Sequence, residues 1–367
     1  MHWYEIENIS TIASPALVIY TERVHENIRQ VIDMVNGDIA RLRPHVKTNK
    51  IAEVCQLMMN AGIYKFKCAT IAEAEMLAMI AAPDVLLAYQ PVGPNARRFI
   101  QLMLRYPATQ FSCIVDNIRA AEQLSFHCIA ADVTADIFID LNTGMNRTGV
   151  LPSKALVLFE AIQLLPAIKV IGLHAYDGHI REQDLSLRQQ QVEQGFNNVI
   201  ILAETIEAIT HTRLNIVAGG SPTFPLHARN KDVECSPGTF VFWDWGYRHS
   251  FPDEPFEYAA LVIARVISVI DENTITIDLG HKSVAAENPL PRVHFLNATE
   301  AVPVAQSEEH LVMKVADSAL FNIGDVMYGV PLHICPTVAL YEKAMVAESH
   351  RITTEWKVVA RDRMITV

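Results

Sequence analysis

The chain has 367 residues, half of them hydrophobic, with a formal net charge of −11 and a mean hydropathy of +0.17. This length is sufficient for a barrel-sized core and a second domain. The acidic balance excludes nucleic acid as an expected partner, because phosphate binding needs clustered lysine and arginine, and no apolar run reaches the ~18 to 20 residues of a membrane span. The first residues lack the profile of a secretory signal, and the six cysteines include no CxxC pair. We therefore expect a cytoplasmic protein with reduced thiols.

From about residue 15 to residue 245, short β-rich runs alternate with amphipathic runs of helical length. Several of the predicted strands are continuous apolar runs, which is typical of parallel strands covered on both faces. About eight βα units in ~230 residues favour a (β/α)₈ TIM-like barrel over an open doubly wound sheet. The predicted strands are Ala16–Tyr20, Arg41–Val46, Phe66–Ala69, Val85–Ala88, Phe111–Val115, Ile137–Leu141, Val170–Ala175, Leu214–Ala218 and Phe240–Trp243. The predicted helices are Ile51–Asn60, Ile71–Ile80, Ala96–Leu104, Ile118–Ser125, Lys154–Leu164 and Ser186–Ile209.

After Tyr247 the pattern changes to β-branched runs separated by turn signals, and no long helix is predicted. We therefore divide the chain into an α/β barrel domain, residues 15–245, and a β-rich domain that comprises residues 246–367 and residues 1–14. The first 14 residues are expected to add a strand to the β-rich domain. The strands predicted after the barrel are Tyr258–Ile270, Thr274–Leu279, Leu311–Val315 and Trp356–Ala360.

Lys47 closes the predicted strand in the run Arg43-Pro44-His45-Val46-Lys47-Thr48. A side chain at the carboxyl end of a barrel strand points into the mouth of the barrel, where active sites of this architecture lie. A partly dehydrated amine loses its proton more readily and can form a Schiff base with an aldehyde. Lys47 is therefore the candidate catalytic residue.

Two small-residue turns follow late strands of the predicted barrel. Gly219-Gly220-Ser221-Pro222-Thr223 comes directly after an apolar strand, and Ser236-Pro237-Gly238-Thr239 precedes the next predicted strand. Glycine lets the backbone approach a ligand closely, and amides and hydroxyls of such turns bind anions. In barrels, phosphate sites are common at this position. Together with the lysine, the turns indicate a phosphorylated cofactor.

Three further side chains are expected at the same mouth. Arg147 lies in the loop after Ile137–Leu141. Its guanidinium group stays protonated and presents several N–H donors in one plane, so it can bond the phenolic oxygen of a pyridoxal ring. His174 and Tyr176 end the strand that begins at Val170, and strand alternation puts them on one face. One of them can lie against a planar ring while the other bonds its edge.

Near the C-terminus, His333 and Cys335 stand in the sequence Pro331-Leu332-His333-Ile334-Cys335-Pro336-Thr337. In an extended segment both side chains point the same way. An imidazole and a thiolate on one face suit a borderline-soft ion such as Zn²⁺. Two protein ligands leave coordination positions open for water and substrate, as a catalytic Lewis acid requires.

Taken together, these motifs resemble the D-threonine aldolase/D-serine dehydratase family of pyridoxal-phosphate enzymes, which share the alanine-racemase type of fold. The match spans nearly the whole chain, and its segments occur in the order of the family: RPHVKT, the NRTG loop, HAYDGH, GGSPT, PGTFVFWD and HICPT. The resemblance implies a barrel that binds pyridoxal 5'-phosphate and a β-rich domain that carries a divalent metal, zinc or manganese. It also implies a homodimer acting on a small D-amino acid.

The resemblance implies a role for each candidate residue. Lys47 would carry the cofactor covalently, Arg147, His174 and Tyr176 would contact its ring, and His333 and Cys335 would hold the metal beside the substrate hydroxyl. The residues that would surround the phosphate are Gly219, Gly220, Ser221, Thr223, Gly238 and Thr239.

The favoured activity is retro-aldol cleavage of a D-3-hydroxy amino acid to glycine and an aldehyde. The alternative is a D-serine dehydratase that releases pyruvate and ammonia, followed by an amino-acid racemase and a non-catalytic pyridoxal-phosphate carrier. Cys335 resembles the dehydratase branch, whereas the ending VALYEKAMV…WKVVARDR resembles members grouped with the aldolases. A metal-dependent hydrolase that uses His174, His179 and a carboxylate is a further alternative, but it assigns no role to Lys47 or to the glycine turns.

Overall fold

The computed structural model describes residues 1–367, which separate into two compact units. The barrel unit comprises residues 31–47, 55–238 and 362–367, and the mixed-sheet unit comprises residues 1–30, 48–54 and 239–361. None of the helices combines the length and the apolar composition that are needed to cross a bilayer.

The chain forms sixteen strands, ten α-helices and six short 3₁₀ turns. The strands are β1 Ala16–Tyr20, β2 Lys65–Cys68, β3 Asp84–Leu87, β4 Gln110–Val115, β5 Ala135–Leu141, β6 Ile168–Ala175, β7 Asn215–Ala218, β8 Val233–Cys235, β9 Ala260–Asp271, β10 Thr274–Ile277, β11 Val293–Phe295, β12 Val302–Gln306, β13 Leu311–Lys314, β14 Val326–Pro331, β15 Lys343–Glu348 and β16 Arg351–Lys357. The α-helices are α1 Thr21–Met34, α2 Ala52–Asn60, α3 Ile71–Met79, α4 Pro94–Arg105, α5 Ile118–Ala131, α6 Pro152–Gln163, α7 Leu185–Thr210, α8 Phe224–His227, α9 Trp245–Ser250 and α10 Ile334–Val338. The 3₁₀ turns are Ile9–Thr11, Ile39–Arg41, Ser221–Thr223, Thr239–Val241, Ser318–Leu320 and Val359–Arg361.

In the barrel unit, β2 to β8 form one parallel sheet in sequence order. The segment 42–46 joins its two edges. The Arg43 N–H donates to the Cys235 carbonyl at the end of β8 (2.9 Å), and the Val46 N–H donates to the Lys67 carbonyl in β2 (2.9 Å). The sheet therefore closes into a ring in which segment 42–46 takes the eighth position. The predicted TIM-like barrel is confirmed.

Three predicted barrel strands differ from the structure. Ala16–Tyr20 is a strand, but it belongs to the other sheet, between β9 and β15. Segment 42–46 makes isolated bridges instead of a continuous ladder, because Pro44 lacks the N–H that a ladder requires. Phe240–Trp243 is wrong as a strand, because the N–H groups of its last two residues both bond to the carbonyl of Thr239 in a 3₁₀ turn (3.1 and 2.7 Å).

The mixed-sheet unit is built on a sheet of nine strands in the order β12-β13-β10-β9-β1-β15-β16, with β14 paired to β9 and β11 paired to β14. This confirms the β-rich domain. The strand expected within residues 1–14 is wrong. Instead, Tyr4, Ile6 and Ile12 pack into the apolar cluster around Tyr20 and Tyr328, and the Tyr20 hydroxyl donates to the Tyr4 carbonyl (2.7 Å).

Buried ion pairs reinforce the closure of the barrel. Arg43, 2 % exposed, donates to both carboxylate oxygens of Asp84 (2.6 and 2.9 Å) and to Glu234 (2.7 Å), which also pairs with Lys65. These side chains come from segment 42–46 and from β2, β3 and β8. Removing one partner of a buried pair leaves the other charge without compensation, and this is strongly destabilising.

We predict that Arg43→Ala lowers the free energy of unfolding by about 3 kcal/mol, because Asp84 and Glu234 lose their guanidinium partner. Urea denaturation followed by circular dichroism measures the change. Arg213→Ala is the matched control, because its pair with Asp232 is exposed on both sides (72 % and 64 %), so its loss should cost less than about 1 kcal/mol. Equal effects of the two substitutions would contradict the assigned role of Arg43.

Candidate active site

The candidate residues of the barrel unit lie at the carboxyl end of the parallel sheet. Lys47 follows segment 42–46 directly, Arg147 lies in the loop after β5, and Tyr176 follows β6. The turn Gly219–Thr223 follows β7 and Gly238 follows β8. Because the carboxyl ends of parallel strands meet at one mouth of a barrel, the structure brings these residues to the same end.

The Tyr176 ring is the centre of a cationic cluster. The Lys47 Nζ and the Lys67 Nζ each lie 5.7 Å from the ring centroid, and the Arg147 Cζ lies 5.1 Å from it. The ring takes this position because residue 178 is glycine: a Cβ there would lie 2.1 Å from the Tyr176 hydroxyl. The arrangement concentrates positive charge in a space lined by an aromatic face, where an anion would be attracted.

A buried polar chain runs through the barrel next to this cluster. His174, 4 % exposed, has its Nδ1 2.7 Å from the Asp140 carboxylate and its Nε2 3.4 Å from the Lys67 amine. Burial and the charge of Lys67 lower the pKa of His174, so the ring is neutral at neutral pH. Since Asp140 accepts, the Nδ1 carries the hydrogen and the Nε2 accepts from Lys67.

A second buried group holds the glycine turn. The Thr223 hydroxyl donates to the Asp177 carboxylate (2.7 Å), and the His227 Nε2 lies 2.7 Å from its other oxygen. Gly219 has a φ of +79°, and a Cβ there would lie 2.7 Å from the His227 ring, so a side chain at this position is both strained and obstructed. The Gly238 N–H donates to the Ser221 hydroxyl (3.4 Å), which connects the two small-residue turns.

The candidate metal ligands belong to the mixed-sheet unit. Cys335 lies in the first turn of α10, so the expected extended segment is wrong beyond His333, yet the two side chains are hydrogen-bonded to each other. The Cys335 sulfur also lies 3.1 Å from the Thr48 hydroxyl and 3.5 Å from that of Thr239. The His333 Nδ1 lies 2.6 Å from Glu287. Burial alone would lower the pKa of His333, but the Cys335 hydrogen bond and the nearby carboxylates raise it to about 9.

Asp244 fixes the segment that carries this pair. Its carboxylate is completely buried and accepts the N–H of Tyr247 (2.8 Å), which caps α9, and the N–H of Ile334 (3.0 Å), between the two candidate ligands. Burial raises the pKa of Asp244 to about 6, although both backbone hydrogen bonds oppose that change. This contact links the PGTFVFWD segment to the HICPT segment within one unit.

The barrel residues fit pyridoxal phosphate. The phosphate and the phenolic oxygen of this cofactor are anionic, and the cluster offers three cationic groups together with a glycine turn that accommodates no side chain at residue 219. Lys47 is the amine of this cluster that follows a barrel segment at the mouth, and it is partly exposed, as attachment to a soluble aldehyde requires.

The candidate metal ligands in the mixed-sheet unit are two side chains that are hydrogen-bonded to each other, His333 and Cys335. No group of three or more His, Cys, Asp or Glu side chains has an arrangement that could hold a metal ion. The donors present are an imidazole and a thiol in mutual contact, and Glu287 bonds the imidazole through its Nδ1 as carboxylates do behind metal-bound histidines. Because Asp140 and Lys67 engage both nitrogens of His174, the metal-dependent hydrolase has no ligand set in the barrel.

Several residues of these clusters were not predicted from the sequence. Lys67 and Asp140 lie inside strands, where a charged side chain is usually interpreted as solvent-facing. Asp177 is part of the HAYDGH motif, but the sequence analysis assigned it no role. The signal available for Asp140 is its position inside the apolar run Ile137–Leu141, because a carboxylate on a strand covered on both faces needs a buried partner. Asp244 and Glu287 gave no comparable signal.

Two known protein families match different parts of this chain. Residues 19–244 match the alanine racemase N-terminal domain family, and residues 259–347 match the putative serine dehydratase domain family. The chain belongs to the alanine racemase N-terminal domain family, and the serine dehydratase domain match lies in its last third.

Individual relatives cover nearly the whole chain. The D-threonine aldolase of Arthrobacter sp. is 26 % identical over 362 residues, which are 96 % of this chain and 94 % of that protein. The D-threo-3-hydroxyaspartate dehydratase of Delftia sp. (strain HT23) is 24 % identical over 359 residues, which are 91 % of this chain and 94 % of that protein. The crystal structure of D-threonine aldolase from Filomicrobium marinum superposes with a TM-score of 0.88 at 26 % identity, covering 96 % of this chain and 97 % of that one.

We predict that Asp177→Ala lowers the free energy of unfolding by about 2–4 kcal/mol, because Thr223 and His227 are each left with a buried polar group unsatisfied. Chemical denaturation measures the change. Asp136→Ala is the matched control, since its carboxylate accepts from Gln110 at the surface, and its effect should stay within about 0.5 kcal/mol. A loss below 1 kcal/mol in the Asp177 variant would argue against its role in holding the turn.

Proposed function

We propose that the protein is a pyridoxal-phosphate- and metal-dependent lyase that cleaves a D-3-hydroxy amino acid to glycine and an aldehyde, as a D-threonine aldolase does. The observation that carries the proposal is the convergence of Lys47, Lys67 and Arg147 on the Tyr176 ring, beside a glycine turn held by Asp177. The sequence similarity to a D-threonine aldolase, which extends over nearly the whole chain, supports the same assignment.

In this proposal each residue of the barrel unit has a defined task. Lys47 would hold the cofactor covalently through its Nζ, and its amine would be able to take up or give a proton once the substrate is bound. Arg147, His174 and Tyr176 would contact the cofactor ring. The residues that would surround the phosphate are Gly219, Gly220, Ser221, Thr223, Gly238 and Thr239. The bound cofactor supplies the ability to stabilise negative charge at the substrate Cα.

In the mixed-sheet unit, His333 and Cys335 would hold a divalent metal, zinc or manganese, with Glu287 orienting the imidazole through its Nδ1. Thr48 and Thr239, which contact the Cys335 sulfur, follow Lys47 and Gly238 directly in the sequence. The metal supplies Lewis acidity toward a hydroxyl oxygen. We therefore propose that both sets of residues serve one reaction, on a small D-amino acid, in a cytoplasmic homodimer.

The second candidate is a dehydratase, favoured by Cys335, by the serine dehydratase domain match and by the similarity to the Delftia enzyme. The two activities differ in the proton that is removed. Loss of the β-hydroxyl proton with cleavage of the Cα–Cβ bond gives an aldehyde and glycine. Transfer of the α-proton to the Lys47 Nζ with departure of the hydroxyl gives, after hydrolysis, a keto acid and ammonia.

Product analysis distinguishes these outcomes. With D-threonine we expect acetaldehyde and glycine, and Lys47→Ala should lose both the yellow colour of the bound cofactor and the activity. Release of pyruvate and ammonia from D-serine would identify the dehydratase instead. A colourless protein that cannot be reconstituted with pyridoxal phosphate would rule out both activities.

The metal gives a separate prediction. Chelation, or His333→Ala, or Cys335→Ala, should reduce turnover by at least about 100-fold while the yellow colour remains, because cofactor attachment depends on Lys47. Glu287→Gln should weaken metal affinity about 10–100-fold, the usual effect of losing a hydrogen-bond partner behind a metal-bound histidine. Metal content is measured by elemental analysis beside activity, with the exposed His310→Ala as control. Full activity after rigorous metal removal would refute the metal site.

A further inference from the structure

The Arg147 side chain has no hydrogen-bond partner at its charged end. It is exposed, and its guanidinium makes no hydrogen bond or ion pair within the chain. Its contact with the site is the Tyr176 ring, whose centroid lies 5.1 Å from the Arg147 Cζ. A long side chain without such a bond samples several rotamers, and fixing it on a ligand costs entropy. The position of the guanidinium therefore depends on the backbone from which it extends, in the loop of residues 142–149.

Asn142 organises this loop from inside. Its Oδ1 accepts the N–H groups of Gly144 and Asn146 (both 3.1 Å), and its Nδ2 donates to the side-chain oxygen of Asn146 (3.0 Å). Asn146, the residue before Arg147, has a φ of +53°. Residues other than glycine adopt this left-handed conformation mostly where local hydrogen bonds support it. The Asn142 carboxamide thus fixes the backbone directly before Arg147.

The loop is also held after Arg147 and beside the ring. The Gly149 N–H, two residues after Arg147, donates to the Asp116 carboxylate (3.0 Å), which follows β4. The Thr143 hydroxyl donates to the Tyr176 carbonyl (3.4 Å). The loop is therefore attached to the end of a neighbouring strand and to the residue whose ring Arg147 approaches.

We propose that Asn142 is a positioning residue that holds Arg147 in place for the phenolic oxygen of the cofactor ring. This inference rests on the proposed function, in which Arg147 contacts that ring. A guanidinium that is already in position loses less entropy when the cofactor binds, so the affinity is higher. Asn142 lines the same cavity as Arg147, His174 and Tyr176. A direct contact between Asn142 and the cofactor is therefore the competing explanation, and the experiment must separate the two.

A double-mutant cycle makes this separation. The measurement is the dissociation constant of pyridoxal phosphate for the full-length protein from which the cofactor has been removed, obtained by equilibrium dialysis. Asn142→Ala should weaken binding about 10-fold in the wild-type background and less than about 2-fold in the Arg147→Met background, because the guanidinium that Asn142 positions is then missing. A direct contact would weaken binding by the same factor in both backgrounds. Equal factors, or no effect in either background, overturn the proposal.

A matched control comes from the mixed-sheet unit. Asn273→Ala also removes an asparagine side chain that bonds the backbone, through two carbonyl groups, and should leave the dissociation constant unchanged in both backgrounds. Circular dichroism checks that each variant folds. If Asn142→Ala does not fold, Asp116→Ala decides, because it releases the other end of the same loop. Its effect on binding should also disappear in the Arg147→Met background, and equal factors in the two backgrounds overturn the proposal.

The outcomes separate this inference from the proposed function. Borohydride reduction followed by peptide mapping locates the bound cofactor. Attachment to Lys47 in the wild type, together with equal effects of Asn142→Ala in the two backgrounds, overturns the role of Asn142 and leaves the proposed function intact. No binding by the wild type, or attachment to a different lysine, overturns the proposed function and this inference with it.

Discussion

The concentration of positive charge around the Tyr176 ring is the constraint on which the rest of the site depends. Lys47, Lys67 and Arg147 approach one aromatic ring at the mouth of a closed barrel, and like charges in a poorly solvated space repel each other strongly. Two buried carboxylates offset this repulsion. Asp140 is hydrogen-bonded to His174, which contacts Lys67, and Asp177 lies near Lys67. An anionic ligand would complete the compensation, and this is why the cluster indicates a phosphorylated cofactor and not a neutral one.

The position of Lys47 follows from the way in which the barrel closes. Segment 42–46 bonds to β8 on one side and to β2 on the other, but Pro44 prevents a regular strand. The closure therefore also depends on side-chain contacts, namely the ion pairs of Arg43 with Asp84 and with Glu234. Because Lys47 is the next residue after this segment, the ion pairs at its start help to fix the backbone that presents the amine.

Strands β2 to β7 were predictable from the sequence to within about two residues, because most of them are largely apolar runs bounded by polar turns and separated by amphipathic helices, whereas β8, Val233–Cys235, was not predicted. The residues at their carboxyl ends were predictable for the same reason. Ala16–Tyr20 shows the limit of this argument: a strand buried on both faces has the same appearance in a barrel and at the centre of a mixed sheet, and the sequence contains no local sign of which sheet it joins. Phe240–Trp243 is apolar because it is buried, not because it is extended.

The buried charges could not be predicted, because they depend on partners that are distant in sequence. Lys67 is 107 residues from His174, and its alternation with Phe66 resembles that of a solvent-facing residue on an ordinary strand. Inside a barrel the same alternation points toward the axis, so the structural context reverses the interpretation. Asp177 differs, since its motif was recognised, but its contacts with Thr223 and His227 arise only when the turns after β6 and β7 are neighbours.

The electrostatics of the two clusters provide an argument for two different bound groups that does not depend on similarity to other proteins. In the barrel unit, burial and neighbouring cations lower the pKa values of Lys67 and His174, so an additional positive charge is disfavoured there. In the mixed-sheet unit, Cys335, Asp244 and Glu287 raise the pKa of His333 in spite of burial, so a positive charge is favoured there. The two clusters therefore favour ligands of opposite charge. The first cluster is complementary to the anionic groups of pyridoxal phosphate, and the second, once its imidazole and thiol have lost their protons, is complementary to a divalent cation.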